Sequence, residues 1–187
     1  MNKTKFLVAL LIVPLLISAC SCQRNGSEDR TDFEVKQTED VQSKVKDWVV
    51  YTNPAYRYEL RSPLDWQIED VEKKGEEVMF FPKGKELSDN YKGELRILGY
   101  SNWKEKYKLD YYVKYVGTTN YYALTDAKDK EVIEFRGFYA EHLKNVELGE
   151  NIQGDVILID ARDRIIIIEL RGSFDKLSDI IGSMYFY

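Results

Sequence analysis

From residue 48 onward, apolar and polar positions mostly alternate with the two-residue period of strands, interrupted twice by the longer period of helices. Trp48–Thr52 is rich in strand-forming residues, Asn53-Pro54-Ala55 is turn chemistry, and Tyr56–Arg61 alternates cleanly, so the three segments predict a hairpin. Ser62-Pro63 ends it, because proline has no amide hydrogen to give to a ladder. Further strands are predicted at Gln67–Val71, Val78–Phe81, Glu94–Tyr100, Val132–Phe135, Phe138–Val146 and Ile152–Ile159. Arg164–Arg171 carries four consecutive isoleucines, the pattern of a central strand buried on both faces.

Leu109, Tyr112, Val113 and Val116 fall at i, i+3, i+4 and i+7, predicting a helix that Gly117 is placed to cap. Phe174, Leu177, Ile181 and Met184 share one face of a second helix with Ser173 at its N-cap, and Met184–Tyr187 can close the chain as a short strand. Runs of strands joined by turns, with two helices inserted, predict an α+β fold with a mainly antiparallel sheet.

The chain before residue 47 has a different texture. Lys3 and Lys5 precede an apolar run of 13 residues, Phe6–Ser18. A helix of that length falls short of a hydrocarbon core about 30 Å thick, so the run reads as the apolar part of an export signal. It ends in Ile17-Ser18-Ala19-Cys20, which resembles the bacterial lipobox. By that resemblance residues 1–19 are a lipoprotein signal peptide, the Cys20 thiol receives a diacylglycerol, and cleavage before Cys20 frees an amine that can be acylated too. Two or three acyl chains anchor stably where one would not. The implied location is the cell envelope, facing the extracytoplasmic side of the cell membrane or outer membrane, with the membrane met through the lipid on Cys20.

Residues 20–46 then form a tether: after Cys20 the segment holds one aromatic residue and three valines among charged and amide side chains. Val41, Val45 and Trp48 stand at i, i+4 and i+7, allowing a short helix over about 39 to 46. The globular domain is expected at 47–187, and a chain beginning at Asp47 is expected to fold like one beginning at Ser21.

Several motifs within 48–187 carry a second resemblance. Trp48-x-x-Tyr51-x-Asn53-x-x-Tyr56-x-Tyr58 leads into Leu60-x-x-Pro63-x-x-Trp66, Val78-x-Phe80 follows, and Ile180-x-x-Ser183-Met184-x-Phe186 ends the chain. This pattern resembles the PsbP-like superfamily, named after an extrinsic protein of photosystem II. The family usually has Gly-Phe in place of Arg57-Tyr58 and a second Phe in place of Met184, swaps that keep the apolar alternation. The resemblance implies an antiparallel sheet of about six strands flanked by helices on both faces.

Composition narrows the chemistry. The whole chain has 27 basic and 32 acidic side chains, and loss of residues 1–19 leaves 25 against 32, net −7. This balance argues against nucleic acid as a partner. One His and two Cys cannot build a four-ligand structural zinc site of the usual kinds, and no cofactor is expected. His142 has no Gly-x-Ser-x-Gly elbow to work with, and Cys22 is a lone thiol with no His nearby in sequence.

The unusual feature is aromatic. Tyr107, Tyr111 and Tyr115 are spaced i, i+4, i+8, about 150° around the helix from the Leu109–Val116 core face. They either cover neighbouring loops or form a contact surface for an envelope protein or a glycan. The function expected is a membrane-anchored, non-catalytic binding or scaffolding module. The alternatives are an envelope glycan hydrolase with paired carboxylates, for which Glu69-Asp70 and Glu76-Glu77 read instead as solvated loops, and a ligand-delivery lipoprotein with an apolar cavity.

Overall fold

The architecture is that of a computed structural model, which describes residues 39–71, 74–88, 91–102, 108–109, 129–148, 152–172 and 174–187. Ten strands and two helices lie within them: α1 (Glu39–Val45), β1 (Val49–Asn53), β2 (Tyr58–Ser62), β3 (Trp66–Asp70), β4 (Glu77–Pro82), β5 (Leu95–Ser101), β6 (Asp129–Phe135), β7 (Phe138–Glu147), β8 (Gln153–Asp160), β9 (Arg164–Leu170), α2 (Phe174–Gly182) and β10 (Tyr185–Phe186).

The strands form two sheets rather than one of about six. The large sheet has seven strands in the order β3-β4-β5-β9-β8-β7-β6, and the small one has three in the order β1-β2-β10. Every pairing is antiparallel. The break at Ser62-Pro63 separates the sheets: β2 stops at Ser62, and the chain re-enters as β3, an edge strand of the other sheet. Arg136 and Gly137, with φ of 54° and 82°, turn β6 into β7, the left-handed pair that a two-residue hairpin needs.

The isoleucine run sits where the pattern placed it. β9 is the middle strand of the seven, flanked by β5 and β8, and all of its residues are buried. Ile166 and Ile168 face one cluster, with Ile97, Ile157, Ile159 and Leu170; Ile165 and Ile167 face the other, with Leu98, Leu109, Val156 and Leu158. The first cluster is closed by Leu177, Ile180 and Ile181 of α2 and by Tyr58, Leu60 and Phe186 of the small sheet. The small sheet and α2 therefore share the cover of one face. Ser173, expected as the α2 cap, lies outside the described residues.

The short helix predicted before residue 47 is present as α1, and it is packed. Val45 is wholly buried, α1 lies against α2, and the Val45 carbonyl accepts the Trp48 amide at 3.0 Å. The last part of the expected tether thus contributes to the core. Burying one valine is worth about 1.5–3 kcal/mol, so a chain beginning at Asp47 should melt several degrees below one beginning at Thr38. Equal melting temperatures would show that α1 adds nothing.

Candidate functional site

A charge-bearing cleft opens beside β5, where β4 begins. Its volume is about 380 Å³, and it is lined by Tyr56, Glu76, Glu77, Leu98, Gly99, Tyr100 and Ser101. That size is at the small end of ligand pockets.

Asn53, at the end of β1, positions both sides of it. Its side chain is fully buried. The amide nitrogen donates to the Gly75 carbonyl at 2.9 Å and to the Tyr58 hydroxyl at 3.1 Å, while the amide oxygen accepts the Tyr56 backbone N–H at 3.0 Å. The Gly75 N–H in turn donates to the Asp70 carboxylate at 3.0 Å. One side chain thereby ties the β1–β2 turn that carries Tyr56 to the loop that delivers Glu76. The Glu76 carbonyl then accepts the Gly99 N–H at 2.9 Å, fixing that loop onto β5.

Gly99 is required here by close approach. A Cβ on it would stand 2.5–2.6 Å from three carbons of the Tyr56 ring, so the ring lies directly on the glycine. The Tyr56 phenol is held above its usual pKa by burial first and by the Glu76 charge second, opposed by a hydrogen bond from Ser101. Burial also raises Tyr100; Arg96 pulls it down, and Glu169 and Glu77 push it up. Both phenols therefore remain protonated at neutral pH.

Behind the cleft lies a buried ion network. Arg96 binds the Glu77 carboxylate at 2.7 Å and the Glu169 carboxylate at 3.1 Å. Glu169 is fully buried and also receives Arg171 at 2.9 Å, and Arg171 donates to the Leu148 carbonyl at 3.2 Å. Glu77 is thus engaged by a guanidinium, which is not the placement of a proton donor for glycoside hydrolysis. Among the described residues, no group of three or more His, Cys, Asp and Glu could hold a metal ion.

His142 is buried in β7, and its Nε2 lies 3.0 Å from Asp155 Oδ2. The other Asp155 oxygen accepts the Asn145 N–H at 3.0 Å, where the β7–β8 register shifts between Leu143 and Val146 and Asn145 takes a φ of 54°. The pair fastens an irregular strand. Burial pushes the Asp155 carboxyl up, but hydrogen bonds from His142 and Asn145, together with the charges of His142 and Lys144, outweigh it and leave it below its usual value. A carboxyl depressed in the folded state stabilises above the unfolded pKa of about 3.9, and that contribution is lost as pH falls through the folded value. Asp155→Asn should therefore lose stability in urea at about pH 7 and lose less than the parent between about pH 5 and about pH 2. An unchanged slope would show that the contacts of Asp155 with His142 and Asn145 do not set its titration.

Cys20, Cys22 and the tyrosines Tyr107, Tyr111 and Tyr115 lie outside the described residues. The cleft residues were missed by sequence reasoning, which took Glu76-Glu77 as a solvated loop and Tyr56 as part of a strand. The available signal was Gly99, a lone glycine inside the predicted strand Glu94–Tyr100, a position that marks a bulge or a close approach.

No protein-family model and no curated protein matches the sequence. Among solved structures, the chain is similar to cyanobacterial PsbP (CyanoP) from Synechocystis sp. PCC 6803, with a TM-score of 0.51 and 18% identity over 74% of this chain and 92% of that one. A crystal structure from Bacteroides thetaiotaomicron also aligns, at a TM-score of 0.46 and 12% identity, over 74% of this chain and 48% of that one. The class is a fold of mostly antiparallel strands in two sheets with few helices. Within that class, the chain has a PsbP-like fold.

Proposed function

We propose that this chain is a lipid-anchored extracytoplasmic protein whose PsbP-like domain is a non-catalytic binding module, held to the membrane through Cys20. The observation that carries the anchor is Ile17-Ser18-Ala19-Cys20 directly after a 13-residue apolar run. The fold supports a folded domain presented beyond a tether. Among the described residues, no helix is long and apolar enough to cross a membrane. The mature domain is acidic and gains nothing electrostatically from lying on an anionic bilayer, so it stands away from the surface.

The partner, an envelope protein or glycan, is assigned to Tyr107, Tyr111 and Tyr115. The support comes from Leu109, which is 4% exposed and belongs to the second core cluster with Leu98, Ile165 and Ile167. In this proposal the helix read from Leu109, Tyr112, Val113 and Val116 covers that face of the large sheet, giving helices on both faces. The tyrosine stripe on its far side then points outward. Truncating an interface anchor of this kind can cost about 2 kcal/mol or more in binding.

Capture of envelope components by the full chain tests the reading. Tyr111→Ala and Tyr115→Ala should weaken capture while leaving the melting temperature unchanged, and His142→Ala should leave capture intact. If both tyrosine variants instead melt far below the parent, the stripe is core and the contact surface lies elsewhere.

A further inference from the structure

We propose that the cleft at the β4–β5 junction is a binding site for an alkylammonium group, the cation that a lysine side chain and a free polyamine share. The inference stands on the cleft alone and depends neither on the anchor nor on the tyrosine stripe.

Charge comes first. Glu77 and Glu169 are each matched by a guanidinium, from Arg96 and Arg171. Glu76 is exposed on the rim, and among the described residues no Lys or Arg is paired with it. The cleft therefore keeps one carboxylate open to a ligand, in a domain whose net charge is already negative. Shape comes second. A volume of about 380 Å³ holds one short chain with its charged end, and the walls beside Glu76 are the aromatic rings of Tyr56 and Tyr100. A cation is attracted to such rings as well as to the carboxylate. Both phenols stay protonated, so they offer π surface without adding charge. Rigidity comes third. Asn53 bonds both the Tyr56 turn and the Gly75 loop, and Gly99 seats the Tyr56 ring, so the walls are set before a ligand arrives.

The test is a titration of the full chain, purified in detergent at low salt, with the Gly99 amide resonance and heat of binding as readouts. The probes are Nα-acetyl-lysine amide, cadaverine, and the neutral isostere Nα-acetyl-norleucine amide. An ammonium probe should bind and move Gly99, and the neutral one should not. Binding of the lysine derivative identifies a peptide source, and binding of cadaverine alone a free amine. Glu76→Gln, an exposed change that leaves the melting temperature in place, should weaken binding about tenfold, the usual effect of losing a charged hydrogen-bond partner. Glu134→Gln, on the exposed side of β6, should not change it. Equal binding of the norleucine amide, undiminished affinity in Glu76→Gln, or no response to either ammonium probe at millimolar concentration would each overturn the proposal.

Discussion

Ile166→Ala and Ile167→Ala should each lower the unfolding free energy by about 2–5 kcal/mol, although the two side chains point in opposite directions. Both are wholly buried in the middle strand of the large sheet. Ile166 faces α2 and the small sheet, while Ile167 faces the cluster that contains Leu109. An isoleucine cut to alanine loses its transfer free energy and leaves a cavity that a strand bonded on both sides cannot close. Against a total of about 5–15 kcal/mol, either loss is a large share. Urea unfolding at neutral pH measures both. If Ile167→Ala alone proves mild, the second face is open to solvent and the two-sided layer is wrong.

Arg96→Ala should be comparably damaging for an electrostatic reason. Arg96 is the bond between Glu77 and Glu169, and Glu169 has no access to solvent. Removing one partner of a buried ion pair leaves a charge without compensation, at a cost of about 3–5 kcal/mol. Arg171 still holds Glu169, so the loss should fall toward the lower end of that range. Arg96→Met combined with Glu169→Gln should cost less than the sum of the two single changes, since each single change already removes the same Arg96–Glu169 bond. Full additivity would show that the two side chains are not coupled.

Much of this fold can be read along the chain. Four isoleucines in a row announce a strand covered on both faces, and β9 is that strand. The period of Leu177 and Ile181 marks the buried side of α2, and Ile180 joins them. Two features are not local in this way. Alternation tells which side of a strand is wet, but not which sheet the strand joins; the β1–β2 hairpin reads the same in a single sheet as in the separate one it forms with β10. Burial of Val45 is likewise decided by α2, far along the chain, so the polar composition around it points the other way. The cleft is harder still, because it depends on Asn53 reaching Gly75 and on Tyr56 meeting Gly99. Only the glycine leaves a trace in the sequence.

In the function proposed above, lipid on Cys20 holds this domain to a membrane. The most direct measurement is the mass of the N-terminal peptide of the mature chain taken from membranes. The expected peptide begins at Cys20 and carries a thioether-linked diacylglycerol, with or without a further acyl chain on its amine. A membrane-bound chain whose Cys20 is unmodified would contradict it.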